Sequence, residues 1–307
     1  MQKKKNKIIV ILGPTASGKS SLAVEIASHF QGEIISADSR QIYRHTEINT
    51  GAVPINKDPY KNIPHHLISF LSLNKNFNVV DFQKKTTELI PRIFKKNKLP
   101  IICGGSIFWI YALIKGQQFP QVQPNFHLRK QLEQKTASQL FQKLKKRNPQ
   151  QAHRIGPHNK IRLIRALEII NSLGDIPPLQ YNPPPYDFIF LYPYYNWEEL
   201  KKRIKKNVEI RWKQNMIEEI KRLNEKGYTW KQIERLGLSF YLISQFLKKE
   251  PNTDENLKKL KEKIYLAEKN YAKRQLTWIK KFKKTKTIHL IKNKSIAISL
   301  LKNKTTF

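Results

Sequence analysis

The sequence predicts an α/β fold: a parallel-sheet core carrying a phosphate-binding loop, with a mostly helical insertion domain. Three observations predict it. The unbroken apolar run Ile8–Leu12 leads into Gly13, four residues, and then Gly18-Lys19-Ser20, the full G-x-x-x-x-G-K-[ST] pattern. Strand-like runs return at Glu33–Ala37, Leu99–Cys103 and Asp187–Tyr192 with helical patterns between them, the alternation that builds parallel sheets. Between Gln117 and Pro185 strands give way to helices, and prolines bracket the segment. The expected division is core over 1–116 and 186–282, helical insertion over 117–185, and a basic tail over 283–307.

The phosphate loop spans Gly13, Pro14, Thr15, Ala16, Ser17, Gly18, Lys19 and Ser20. Its glycines let the backbone curl so that N–H groups face phosphate oxygens. The helix beginning near Ser21 adds its positive N-terminal end. Lys19 supplies a point charge to the outer phosphate, and Ser20 the hydroxyl expected on a Mg²⁺ ion. A di- or triphosphate ligand is implied.

The second strand, Glu33–Ala37, ends on Asp38-Ser39-Arg40-Gln41. A right-handed crossover from the first strand brings Asp38 to a carboxyl end beside the loop. There it can bind Mg²⁺, accept a proton or cap a turn. Tyr43 to Asn78 reads as loops and short turns broken by Pro54, Pro59 and Pro64, and His65-His66 lacks the neighbours of a zinc site. A helix follows from Asp81 to Phe94, interrupted near Pro91. The strand Leu99–Cys103 closes on Gly104-Gly105-Ser106 with no acid, which argues against a Walker-B hydrolase, and Phe108 to Lys115 is helical.

In the insertion, Ile161 to Ile170 is a strong helix on which Arg162 and Arg165 share a face, as solvated ion-pair partners or as a grip on RNA phosphates. Trp197 to Lys226 reads as one long basic helix stopped by Gly227. Glu262 to Lys281 reads as another, with Lys269, Lys273, Thr277 and Lys280 along one stripe beside aromatic residues, a combination suited to RNA. The lysine-rich tail holds one short strand, Thr287–Ile291.

Composition narrows the class. With 307 residues the chain can bury a large core, and 58 Lys+Arg against 23 Asp+Glu gives a net charge of +35. Such a surplus suits a polyanionic partner, though a uniformly lysine-decorated surface gives the same sum. The single Cys103 excludes an intramolecular disulfide and suits a reducing cytoplasm. Lys3-Lys4-Lys5 precedes an apolar run too short for a signal peptide, and no run is long enough to span a membrane. A soluble cytoplasmic protein is expected.

Together, GPTASGKS (13–20), SADSRQIYR (36–44), PHHLI (64–68), LPIICGGS (99–106), RLIRALEI (162–169) and YAKRQLTW (271–278) resemble the tRNA dimethylallyltransferases, also called tRNA isopentenyltransferases. The resemblance extends in order from about Lys7 to Phe282. It implies that the loop holds dimethylallyl diphosphate with Mg²⁺, and that the dimethylallyl group goes to the exocyclic amine of the adenosine 3′ to the anticodon. It also implies an enzyme gripping a tRNA anticodon stem-loop, and a monomer is expected. That reaction needs a base for the amine proton, and Asp38 is placed for it, with Lys19 and Mg²⁺ near Ser20 neutralising the leaving diphosphate. By the resemblance, RNA contacts fall to Asp38, Ser39, Arg40, Gln41, Ser106, Arg129, the turn Lys160, Ile161, Arg162, Leu163, Ile164 with Arg165, and the stretch holding Lys269, Lys273, Arg274 and Gln275.

The chain departs from that pattern in places. Ser20, Ser106 and Glu268 stand where the family usually has Thr, Ile107-Phe108-Trp109 replaces Gly-Leu-Tyr, and Gly237-Leu238-Ser239 replaces a Gly-Tyr-Arg/Lys motif. An arginine usual on the long helix, which helps bind diphosphate, aligns with Asn207, leaving Arg203 or Lys206 to substitute. Two other readings share the phosphate loop: a small-molecule kinase that binds ATP as its nucleotide, and an RNA-binding relative that has lost catalysis.

Overall fold

The computed structural model describes residues 6–283 and 286–304; the Lys3–Lys5 run and parts of the basic tail lie outside them. Six parallel strands form one sheet: β1 (Lys7–Leu12), β2 (Gly32–Ser36), β3 (His65–His66), β4 (Leu99–Gly104), β5 (Asp187–Pro193) and β6 (Ile288–Ile291), in the order β3-β2-β4-β1-β5-β6. Alternate residues of β1 supply opposite faces. Ile8, Val10 and Leu12 pack in one core cluster, and Ile9 and Ile11 in another, so the run is apolar throughout because both faces are covered.

Register positions the site. Leu12 pairs with Gly104 and Ser36 with Cys103, so β1, β4 and β2 end side by side. Gly104 leaves room for the end of β2, since a Cβ there would overlap the Ala37 carbonyl. Three loops therefore leave one edge of the sheet together, beginning at Gly13, Ala37 and Gly105. In parallel sheets that carboxyl edge is where ligands bind.

The helices are α1 (Lys19–His29), α2 (Glu47–Thr50), α3 (Val79–Lys95), α4 (Ile107–Lys115), α5 (Phe126–Glu133), α6 (Ala137–Arg147), α7 (Pro149–Ile155), α8 (Lys160–Leu173), α9 (Trp197–Lys213), α10 (Met216–Glu225), α11 (Trp230–Glu234), α12 (Leu238–Lys249), α13 (Asp254–Lys283) and α14 (Lys294–Lys304). The chain divides into two compact units, residues 1–114 with 184–307, and residues 115–183. The first holds the sheet. The second packs α5 to α8 around Leu132, Leu140, Leu144, Leu163 and Leu167.

Four local expectations are corrected. Helix α3 runs through Pro91 without interruption. Proline in a helix interior costs about 3 kcal/mol, but Phe82, Ile90 and Ile93 are buried on one face at about 1.5–3 kcal/mol each, and burial wins. The long basic helix is two, α9 and α10, broken where Asn215 takes a left-handed φ of 62°. Asparagine visits that region more readily than other non-glycine residues. The segment 43–78 contains α2 and the short strand β3. The tail adds a helix, α14, whose Ala297 and Leu301 pack on the α1 side of the sheet.

Candidate functional site

A cleft of about 360 Å³ opens at the carboxyl edge of the sheet, within the first unit. The phosphate loop forms its floor. Gly18 (φ 79°) and Ala16 (φ 63°) are both left-handed, which produces the tight curl, and α1 starts at Lys19 with its amides toward the cleft. Gly13 is required by closeness: a Cβ there would lie 2.6 Å from Ser17 Oγ. That hydroxyl is buried and has no hydrogen-bond partner among the described residues.

Lys19 Nζ donates to the Pro14 carbonyl at 2.6 Å, which lays its stem along the loop. Burial lowers its pKa, while the nearby Cys103 and Asp38 act in the opposite direction. The Cys103 thiol is pushed up to about 12 by burial, against the pull of Lys19, so it stays protonated and chemically quiet.

Asp38 faces the loop from the end of β2 and is half-buried. Its Oδ1 accepts the N–H of Arg40 at 3.0 Å and that of Gln41 at 3.5 Å, fixing the turn. The capping role and a chemical role are thus compatible, because one oxygen is committed to the turn and the carboxylate still lines the cleft. Ser106 Oγ accepts the Ser39 N–H at 3.0 Å and ties this turn to the end of β4. Arg40 is held in place: Nε donates to the Leu236 carbonyl at 2.7 Å, and its guanidinium lies 4.6 Å over the Tyr271 ring. Gln41 donates to the carbonyls of Thr50 and Gly51.

Helix α9 presents Arg203, Asn207 and Arg211 to the cleft at four-residue spacing. Arg203 Nε donates to the Ala16 carbonyl at 2.7 Å, and its guanidinium stacks 4.3 Å over Tyr195. Of the two basic residues offered in place of an arginine at Asn207, geometry selects Arg203, while Lys206 is exposed and does not line the cleft. Arg211 is neutralised: it donates to Glu268 Oε1 at 2.6 Å and to the Asn49 carbonyl at 2.8 Å, and it is buried. Glu219 accepts from Ile48 and Asn49 and fixes α2 beside this pair, with burial raising its pKa.

The residues expected to contact RNA separate into two kinds. On α13, Lys273 and Arg274 are exposed and Lys269 is half-buried, with Lys273 5.6 Å over Trp197 and Arg274 5.7 Å over Tyr271. In the second unit Ile161 is 82% exposed and Arg162 is exposed, whereas Leu163 and Ile164 point into that unit's core. Arg129 and Arg165 are both engaged by Glu168, which is 1% exposed. Arg129 donates to it through Nε and Nη2 at 2.8 Å each, and Arg165 also donates to the Val122 carbonyl. Desolvation pushes the Glu168 carboxyl up, but hydrogen bonds from Arg129 and Arg165 outweigh it and hold the pKa below the usual value. Those two arginines organise the unit.

Sequence reasoning placed Tyr271 and Gln275 within a stretch of RNA contacts, and did not pair Glu268 with Arg211. A signal existed. The buried face of α13 is Leu260, Ile264, Glu268, Ala272, Gln275, Ile279 and Phe282, spaced by three and four, so two polar residues sit on a core stripe and need buried partners.

A family model described as IPP transferase matches residues 41–282. A tRNA dimethylallyltransferase from Halothermothrix orenii is 37% identical over 284 residues, covering 89% of this chain and 84% of the relative. One from Thermoanaerobacter sp. (strain X514) is 35% identical over 287 residues, covering 89% of each. Among solved structures, the tRNA isopentenylpyrophosphate transferase of Bacillus halodurans is 30% identical with a TM-score of 0.65, over 90% of this chain and 87% of that one. A eukaryotic dimethylallyltransferase acting on tRNA is 26% identical with a TM-score of 0.72, over 89% of this chain and 70% of that one.

Proposed function

The chain belongs to the IPP transferase family, and from that membership we propose that it moves the dimethylallyl group from dimethylallyl diphosphate to the exocyclic amine of the tRNA adenosine 3′-adjacent to the anticodon. The observation that carries this reading is the cleft. A phosphate loop with Lys19 and Arg203 occupies one side, and the Asp38 carboxylate faces it from the end of β2.

The reaction needs both halves. Carbon–oxygen cleavage releases diphosphate, whose growing charge the loop amides, Lys19 and Arg203 neutralise. Nitrogen–carbon bond formation needs the amine proton removed, because the adenine lone pair is delocalised into the ring. Asp38 accepts that proton. The adenine must leave its stack to reach the cleft, which suits exposed cations interleaved with aromatic rings on α13.

Among the described residues no group of three or more His, Cys, Asp or Glu converges as a metal cage. That fits Mg²⁺, which takes one or two protein oxygens and completes its shell with water and substrate phosphates. The Ser20 hydroxyl on the cleft wall would hold it, where it would add positive charge for the leaving group. No helix of the described residues is long and apolar enough to cross a membrane. From the tRNA substrate proposed above, we read the chain as working in the cytoplasm, as a monomer.

Incubation with labelled dimethylallyl diphosphate and bulk tRNA tests the proposal. Label in the RNA supports it. ATP turnover on a small acceptor would favour the kinase reading, and tight RNA binding without transfer would favour the relic.

A further inference from the structure

Gln275 projects from α13 toward the sheet and is 4% exposed. Its amide makes two bonds, and they join different parts of the fold. Oε1 accepts the Thr15 N–H at 2.8 Å, inside the phosphate loop. Nε2 donates to the Gly105 carbonyl at 2.9 Å, just past the end of β4. Gly105 is shaped to this side chain, since a Cβ there would overlap Nε2. The next loop residue, Ala16, is held from the other side by Arg203 of α9. Two successive loop residues, Thr15 and the left-handed Ala16, are thus held by side chains of α13 and α9.

From this geometry we propose that Gln275 is a positioning residue for the phosphate loop, acting on the diphosphate half of the reaction and not on RNA. This rests on the function proposed above. Buried as it is, the amide offers RNA no accessible donor or acceptor, whereas its neighbours Lys273 and Arg274 are exposed. A loop whose backbone must curl through two left-handed residues has competing conformations. Fixing the Thr15 amide selects the one in which the remaining amides converge on the phosphates. The same bond couples the α13 face bearing the RNA-side cations to the donor site through one rigid helix. Replacing the amide with an apolar chain of equal length leaves the Thr15 N–H and the Gly105 carbonyl unpaired, a loss on the scale of tenfold in an equilibrium constant.

The test compares equilibrium binding of inorganic diphosphate with Mg²⁺, and of an anticodon stem-loop RNA, in the full chain. Gln275→Met is expected to weaken diphosphate binding about tenfold or more and to leave RNA affinity unchanged. Gly105→Ala displaces the Gln275 amide without altering it and has no left-handed φ to strain. It is expected to reproduce the defect, and the double variant to be no worse than either single one. The second variant decides the matter if the first does not fold. In steady-state transfer the KM for the prenyl donor rises and that for tRNA does not. Unchanged diphosphate binding, or a loss confined to RNA, overturns the assignment of Gln275. A wild-type chain that binds no diphosphate overturns the function itself.

Discussion

Arg203 Nε donates to the Ala16 carbonyl at 2.7 Å, so a helix residue 187 positions further along the chain fixes its guanidinium at the rim of the loop. The bond uses the inner nitrogen and leaves the two outer ones for a phosphate, with Tyr195 stacked 4.3 Å away to set the plane. Arg203→Ala is expected to weaken dimethylallyl diphosphate binding about 10- to 100-fold, the range for a charge-assisted bond. Arg203→Lys recovers little, because an ammonium lacks the planar fork that stacks on Tyr195 and holds the carbonyl through one nitrogen while presenting two others to the ligand. Calorimetric titration with the diphosphate checks both.

Lys19→Ala and Ser20→Ala are expected to abolish transfer with the fold intact. Both side chains line the cleft and neither supports the core. Single-turnover assays at saturating donor, alongside circular dichroism, make the comparison. Equal rates for Lys19→Ala and wild type would remove the loop from the reaction.

The basic residues are expected to differ in what they do. Charge reversal at Arg162, Lys273 or Arg274 should weaken tRNA binding and reduce its salt slope by about one unit per lost phosphate contact. Arg165→Glu should instead destabilise the second unit, since it places a second carboxylate against Glu168. Binding isotherms over a salt series, with a thermal melt of each variant, separate the two effects.

Glu168→Gln is expected to cost about 1.5–3 kcal/mol, because it weakens the charge-assisted hydrogen bonds that Arg129 and Arg165 make, while both arginines keep partial access to water. A carboxylate whose folded pKa is held down contributes stability that is fully present above its ordinary pKa near 4.5. That contribution is lost as pH falls from there through the folded value. A melt series across the acidic range should show the wild-type second unit weakening in that window, and Glu168→Gln should flatten the dependence.

The central strands β1 and β4 were legible because they are apolar runs that lead into glycine, a pattern forced by burial on both faces, whereas β3 is two histidines and gives no such signal. The phosphate loop was legible because curvature at Gly13 and Gly18 leaves few alternatives in the chain itself. What stayed hidden depended on partners distant in sequence. The choice between Arg203 and Lys206 on a basic helix is open until Ala16 is seen beside Arg203. Arg165 reads as surface until Glu168 and Val122 are placed. Helix α14 is lysine-rich, and Ala297 and Leu301 reveal a core face only once α1 is packed against them. The break at Asn215 turns on one left-handed residue, which helical periodicity on either side conceals.

The most direct test of the account is the transfer step in Asp38→Asn, measured by single turnover together with equilibrium binding of dimethylallyl diphosphate at fixed Mg²⁺. Asparagine keeps Oδ1 as acceptor for the Arg40 and Gln41 amides, so the turn stands, and it removes the charge that takes the proton. Transfer is expected to slow by about two to four orders of magnitude while donor binding stays near wild type. Lost donor binding that extra Mg²⁺ restores would contradict it, making Asp38 part of the metal site and placing the base elsewhere.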